Sequence, residues 1–142
     1  RQGTDLTKLA QSVAREYAQD QAVGVRLSMG AANISAEVSP AALTDALYLI
    51  LHNAGRFGNG ATIDLSVAET GARSSITVRD RGPGFTEEAF SRAFDPFYST
   101  ADGGLGLGLP HARKVIEDMG GRIELRNVPD GGAEVEISFP AA

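Results

Sequence analysis

The chain has 142 residues, of which 42% are hydrophobic and 22% are charged, so length and composition predict one globular domain with a single core. A formal net charge of −5 argues against a basic nucleic-acid-binding surface, and the absence of cysteine excludes disulfides, zinc–thiolate sites and thiol catalysis. No apolar run approaches the ~20 residues that a membrane-spanning helix needs, so we expect no such helix in this chain.

The first half of the chain predicts two helices with strands between them. Helical spacing of apolar residues predicts a helix in DLTKLAQSVAREYAQDQ, and the alternation in VGVRLSM predicts a half-buried strand. We interpret NISAEV as the hairpin partner of that strand. Ser39 and Pro40 are typical of a helix start, and the helix should run to about Phe57. Its predicted core stripe is Leu43, Leu47, Ile50, Leu51 and Ala54.

The second half predicts two pairs of strands on either side of a long connection. Strands are expected near residues 61–68 and 74–80, joined by the turn ETGAR. After a stretch with only a short helical pattern, TEEAFSRAF, a last helix is expected from about 107 to 119. Its predicted inner side is Leu109, Ala112, Ile116 and Met119. RIELRN and AEVEISF are two more alternating strands. This order predicts an α+β fold, a two-layer sandwich in which three helices cover one face of a mostly antiparallel mixed sheet of about five strands.

A carboxylate ends the second of these strands, in VRDRGPGF. Asp80 has the same strand parity as Val78, so its side chain should lie on the apolar face, where a carboxylate is costly unless donors surround it. Gly82 and Gly84 would let a flat ligand approach the backbone, and Phe85 could form a wall of its pocket. The alternative is an Asp that only caps the following turn.

Polar residues also line one side of the helix in ALTDALYLILHNAGRF. Leu49, Asn53 and Arg56 fall on a common stripe beside the core stripe. The Asn53 carbonyl oxygen suits Mg²⁺ that is also bound by phosphates and water, and Arg56 offers a fixed positive charge to a phosphate. The alternative is a solvated helix edge.

The glycine-rich segment DGGLGLGLP precedes the last helix. Its main-chain N–H groups could bind an anion where the helix dipole also favours one, and the alternative is a flexible loop. A P-loop is excluded because Gly108 is followed by Leu109 and Pro110 instead of Lys and Ser or Thr. The dinucleotide fingerprint is excluded because Leu109 takes the place of its third glycine.

Four segments, in this order, resemble the sequence boxes of one ATPase superfamily. HNAGRFGNG, DRGPGF, FDPFYST and GGLGLGLP are similar to the N, G1, F and G2 boxes of the Bergerat-fold (GHKL) ATPases, which include gyrase, heat-shock chaperones, mismatch-repair proteins and sensor histidine kinases. The short F box and the GLGL motif most resemble the histidine-kinase catalytic (ATP-binding) domain. The resemblance covers about residues 41 to 139, and it implies the Bergerat fold.

The resemblance also implies a nucleotide site. Its residues would be Asn53, Arg56, Phe57, Asp80, Gly82, Gly84, Phe85, Gly104, Leu105, Gly106, Leu107 and Gly108. Asp80 would accept the adenine amino group, Phe57 would pack near the base, and the glycines of the last box would contact phosphates. Asn53 would bind Mg²⁺, and Arg56 would bind a phosphate. The resemblance identifies no further catalytic residue, and these two would assist the reaction.

By this resemblance, residues 1–142 form a single catalytic domain with an ATP lid at about 85–103. The domain would bind ATP and Mg²⁺ and act as a protein-histidine kinase, transferring the γ-phosphoryl group to a histidine on a dimerisation (phosphoacceptor) domain outside this chain. A response regulator would then take the phosphoryl group. We expect the isolated domain to be monomeric and cytoplasmic and the parent to be a homodimer, and we leave a membrane anchor on the parent open.

Three positions depart from the family pattern. Leu49 stands where relatives often carry Asn or Glu, Ala101 where many carry Lys, and Leu105 where Thr or Ser is frequent. These departures leave a second hypothesis open, a degenerate nucleotide-binding scaffold or pseudokinase. A third is a stand-alone serine kinase of the anti-sigma type on the same fold.

Overall fold

The computed structural model describes residues 2–29, 34–58, 60–92, 108–129 and 131–141, which contain four helices and seven strands. The helices are α1 (Leu6–Gln21), α2 (Pro40–Phe57), α3 (Glu87–Arg92) and α4 (Gly108–Asp118). The strands are β1 (Gln2–Asp5), β2 (Val25–Met29), β3 (Ser35–Val38), β4 (Ile63–Thr70), β5 (Arg73–Arg79), β6 (Arg122–Asn127) and β7 (Ala133–Pro140).

Capping side chains set the starts of the two long helices. The Asp5 carboxylate accepts a hydrogen bond from the main-chain N–H of Lys8 at 3.0 Å, and α1 begins at the next residue. The hydroxyl of Ser39 accepts one from the N–H of Ala42 at 3.3 Å, so α2 begins where its sequence predicts. Ala22 caps the end of α1 and adopts the left-handed conformation.

The main sheet has five strands in the order β2-β4-β5-β7-β6. Strands β2 and β4 are parallel, and the other three neighbouring pairs are antiparallel. Helix α2 packs between α1 and α4, and all three lie against the sheet. The predicted α+β architecture, with three main helices on a mixed, mostly antiparallel sheet, is therefore confirmed.

The predicted hairpin of β2 with β3 is wrong. Strand β3 pairs antiparallel with β1 in a separate two-stranded sheet, and β2 pairs in parallel with β4. Strand β3 and the long helix α2 lie between β2 and β4 in the sequence. A crossover through a helix returns the chain to the same end of the sheet, so β4 pairs in parallel with β2. Strand β2 is also less covered than predicted, because it lies at the sheet edge and leaves Leu27 41% exposed.

The core lies between the helices and one face of the sheet. Every residue predicted for the core stripes of α2 and α4 is buried. The alternating residues of the central strands meet them, namely Ile63, Leu65, Val67, Ile76, Val78, Val135, Ile137 and Phe139. In the part of the chain that the structure describes, no helix is both long and apolar enough to cross a bilayer.

Candidate functional site

Asp80 follows directly after β5, at the inner face of the sheet. Ile76, Val78 and Asp80 alternate along this face with exposed fractions of 0%, 2% and 5%, so the predicted burial of the carboxylate is confirmed. Burial raises the pKa of the Asp80 carboxyl above its ordinary value. Main-chain hydrogen bonds and the charge of Arg79 oppose this rise without cancelling it.

The two carboxylate oxygens of Asp80 have different surroundings. Oδ1 accepts hydrogen bonds from the N–H of Gly82 at 2.9 Å and from the N–H of Ala133 at 3.2 Å. The first of these bonds is the turn cap that the sequence left as an alternative. Oδ2 accepts no hydrogen bond from any residue that the structure describes. The turn cap therefore uses only one oxygen, and the other is available to a donor from a ligand.

The turn between β6 and β7 approaches the main chain of Asp80 closely. The N–H of Asp80 donates to the carbonyl of Ala133 at 3.0 Å. Gly132, with φ +87°, lies so close that a Cβ there would overlap the carbonyl oxygen of Asp80. Two features of this contact require glycine at position 132: the positive φ, and the lack of space for a side chain.

Asn127 holds the segment that follows Asp80, and the sequence did not single it out. Its Oδ1 accepts from the N–H of Phe85 at 2.8 Å, and its Nδ2 donates to the carbonyl of Phe85 at 2.9 Å. The amide thus pairs with the main chain as a neighbouring strand would. Phe85, predicted as a wall of the pocket, is 8% exposed. The only local signal is an Asn at the end of a strand, which is typical of an ordinary turn.

Asn53 is buried on α2, with an exposed fraction of 6%. The alternative of a solvated helix edge is therefore wrong for Asn53, although it describes the exposed Arg56 at the same turn. The Nδ2 atom of Asn53 is buried and has no hydrogen-bond partner among the described residues. An unpartnered buried amide costs free energy in the absence of a ligand, so it marks a polar position that a ligand could satisfy.

The end of α2 meets the end of β5 beside Asp80. A Cβ on Gly58 would lie 3.7 Å from the Cβ of Asp80, so the fold brings Asp80 against the last turn of the helix that carries Asn53. Phe85 and Asn127 also line a cavity of about 650 Å³, together with Thr86, Glu87, Glu88 and Ser91. Neither Asp80 nor Asn53 lines this cavity.

Several predicted site residues fall outside the described part of the chain. These are Gly104, Leu105, Gly106 and Leu107, the FDPFYST segment, and residues 93–103 of the predicted lid. The backbone of Phe57 ends α2, but its side chain is not described. Gly108 is the first residue of α4, and α3 occupies the beginning of the predicted lid. The nucleotide contacts of all these residues stay predictions.

One family model matches most of the chain. It is described as histidine kinase-, DNA gyrase B-, and HSP90-like ATPase, and it matches residues 38–142. The matched region contains α2, the main sheet from β4 onward, Asn53 and Asp80.

Curated relatives and solved structures agree with this match. The sensor histidine kinase component HK1 of Mycobacterium tuberculosis is 36% identical over 136 residues, which are 93% of this chain and 79% of the relative. The sensor histidine kinase GtrS of Pseudomonas aeruginosa is 32% identical over 142 residues, which are 98% of this chain and 29% of that protein. The crystal structure of the ATP binding domain of PrrB from Mycobacterium tuberculosis superimposes with a TM-score of 0.82 at 25% identity, covering 99% of this chain and 97% of that one.

The chain is shorter than most of these relatives. It spans 11% to 29% of the length of four curated relatives, a group of sensor proteins and sporulation kinases that includes GtrS.

Proposed function

Because the chain belongs to the family of histidine kinase-, DNA gyrase B-, and HSP90-like ATPases, we propose that it is the ATP-binding catalytic domain of a sensor histidine kinase. In this proposal the domain binds ATP with Mg²⁺ and donates the γ-phosphoryl group to a histidine on a separate phosphoacceptor domain. The parent protein would act as a homodimer and pass the phosphoryl group to a response regulator.

The buried carboxylate of Asp80 is the observation that carries this proposal. Oδ1 is held by two main-chain N–H groups, and Oδ2 has no donor among the described residues. An amino group on a planar base can donate to Oδ2, and Gly82 and Gly84 leave the main chain beside it without side chains. The Asn127 amide holds the main chain of Phe85, and the Phe85 side chain would form a wall of that pocket.

The donor set on α2 fits a metal–phosphate group. The unpartnered Nδ2 of Asn53 is a hydrogen-bond donor that would bond a phosphate oxygen, and the carbonyl oxygen of the same amide is a ligand type that Mg²⁺ accepts alongside phosphates and water. Arg56, at the same turn, would bind a phosphate. Bound Mg²⁺ would offset the negative charge of the phosphates during transfer. Asn53 and Arg56 would orient the phosphates, and the glycines at 104, 106 and 108 would bind them through N–H groups.

The proposed reaction is an in-line phosphoryl transfer. The lone pair of a neutral imidazole nitrogen would form a bond to the γ-phosphorus, while the bond from that phosphorus to the bridging oxygen breaks and its electron pair leaves with ADP. The protein contributes mainly position and charge in such chemistry. In this reaction the residues of this chain would bind and orient the substrates, and none would form a covalent bond to the phosphoryl group.

Calorimetric titration with ATP, with and without Mg²⁺, tests the proposal. We expect the chain to bind ATP and Asp80→Asn to weaken binding by about 10- to 100-fold, because the new amide donor would face the amino group of the base. Asp118→Asn, which removes an exposed carboxylate at the end of α4, is the matched control and should bind as the native chain does. Full ATP affinity in Asp80→Asn would contradict the assignment of this pocket.

A second candidate function is nucleotide binding without transfer, and Leu49 favours it. Leu49 is half-buried one helical turn before Asn53 and lines a cavity of about 350 Å³ with Tyr48, Asp45, Thr44 and Glu16. Its aliphatic side chain neither binds a metal nor orients water. ATP binding with no transfer of labelled phosphate to the phosphoacceptor domain of the parent protein would favour this candidate over a kinase.

A further inference from the structure

Tyr17 is a tightly packed side chain at the contact between α1 and α2. It is 2% exposed, and its ring meets that of Tyr48 edge-on, with centroids 5.5 Å apart and planes at 73°. Among the residues that the structure describes, its hydroxyl makes no hydrogen bond. Packing alone therefore determines where the phenol lies.

The end of the Tyr17 ring reaches α2 at Gly55. A Cβ built on Gly55 would overlap the Tyr17 hydroxyl, and it would lie 3.4 Å from Cζ of Tyr17 and 3.8 Å from Cδ1 of Ile63. The backbone conformation does not explain this glycine, because Gly55 is not among the residues at positive φ. Glycine also weakens a helix interior relative to alanine. Glycine at this position leaves room for the phenol of Tyr17.

Gly55 lies between two residues of the proposed nucleotide site. Asn53 precedes it by two positions, and Arg56 follows it. The Asn53 amide nitrogen has no partner among the described residues, so the packing of α2 has to aim this side chain. Hydrogen bonds and metal ligation weaken steeply when distance or angle is wrong, so a small shift of this turn would reduce binding.

We infer that Tyr17 is a positioning residue for the nucleotide site. Its phenol lies in the notch that Gly55 leaves on α2, and this contact sets the position of the turn that carries Asn53 and Arg56. The inference rests on the proposed function, because it assigns Tyr17 a role in holding the residues that would bind ATP and Mg²⁺.

The test is a set of variants of the full 142-residue chain, namely Gly55→Ala, Tyr17→Phe and the double variant. Gly3→Ala is the control, because a Cβ at Gly3 would meet no atom of the described residues within 4 Å. Melting temperature and affinity for ATP with Mg²⁺ are measured for each. Affinities are compared at a temperature at which circular dichroism shows every variant folded, which separates positioning from loss of the fold.

Gly55→Ala should lower the melting temperature and weaken ATP binding at least about tenfold. Tyr17→Phe alone should leave both near the native values, because it keeps the ring that packs against α2, and the hydroxyl it removes makes no hydrogen bond with the described residues. In the Tyr17→Phe background, Gly55→Ala should no longer lower the melting temperature, and ATP affinity should recover, because the remaining contacts, at 3.4 Å with Cζ and 3.8 Å with Cδ1 of Ile63, are ordinary van der Waals distances.

Native ATP affinity in Gly55→Ala, or no recovery in the double variant, would overturn the inference and leave the proposed function standing. If Gly55→Ala does not fold, the double variant is compared with Tyr17→Phe. Equal ATP affinity of the two supports the inference, and an unfolded or non-binding double variant overturns it. If the native chain binds no ATP, the proposed function fails, and this inference fails with it.

Discussion

Asn127, at the end of β6, pairs with the main chain of Phe85, which lies 42 positions earlier in the sequence. One side-chain amide satisfies both the N–H and the carbonyl of Phe85, at 2.8 Å and 2.9 Å. This contact joins the β6–β7 end of the sheet to the segment that follows Asp80. It therefore connects Asn127, whose position in the sequence indicates only an ordinary turn, to a segment that the sequence predicts as part of the nucleotide pocket.

Asn127→Ala should weaken ATP binding about tenfold and lower the free energy of unfolding by about 1–3 kcal/mol, because two hydrogen bonds to a half-buried main chain are lost. Asn127→Asp keeps an acceptor for the Phe85 N–H but sets a carboxylate oxygen against the Phe85 carbonyl, so it should not restore binding. Urea unfolding and ATP titration measure the two effects. Native affinity in Asn127→Ala would show that Phe85 needs no such support.

The difference in unfolding free energy between the native chain and Asp80→Asn should depend on pH. Burial raises the pKa of Asp80 above its ordinary 3.8, so the folded state favours the protonated carboxyl. The stability that protonation contributes is fully present below the unfolded pKa and is lost as pH rises through the folded pKa.

The native chain should therefore lose stability relative to Asp80→Asn as pH rises across that window. Urea unfolding of both chains from acid to neutral pH checks the sign. A native chain that gains stability over Asp80→Asn as pH rises would mean that hydrogen bonds, and not burial, dominate at Asp80.

Gly132→Ala should destabilise the protein by about 3 kcal/mol or more, because it adds an overlap with the Asp80 carbonyl to the strain of positive φ. Gly131→Ala is the matched control. Gly131 also has positive φ, but a Cβ there would meet no atom within 4 Å in the part of the chain that the structure describes. Its cost should therefore be about 1–2 kcal/mol, from backbone strain alone. Equal unfolding free energies for the two variants would show that the overlap is relieved at little cost.

Ala22→Gly should stabilise the protein by about 1 kcal/mol, because Ala22 is held at φ +55° at the end of α1, where a side chain is unfavourable. Ala18→Gly, in the last turns of the same helix, should instead destabilise by about 1 kcal/mol. Thermal unfolding of both variants measures the contrast. A loss of stability in Ala22→Gly would mean that the greater freedom of glycine in the unfolded chain outweighs the relief of strain.

The sequence by itself determined those features that depend only on residues close together in the chain. Helix α2 begins at the predicted Pro40 and ends at the predicted Phe57, because the Ser39 cap, the proline and the helical apolar stripe all act within a few residues. Burial of Asp80 was also predictable, because strand parity places alternate residues on one face whatever their partners are.

Only the tertiary structure decided which segments meet. The alternation in β2 and β3 predicts strands but carries no information about partners, so β3 pairs with β1 and β2 pairs with β4. The Ala133 N–H that bonds Asp80, the Asn127 amide and the Tyr17 phenol against Gly55 all come from distant parts of the chain. Packing of the whole core selects such contacts, because each depends on distances across elements that no local pattern encodes.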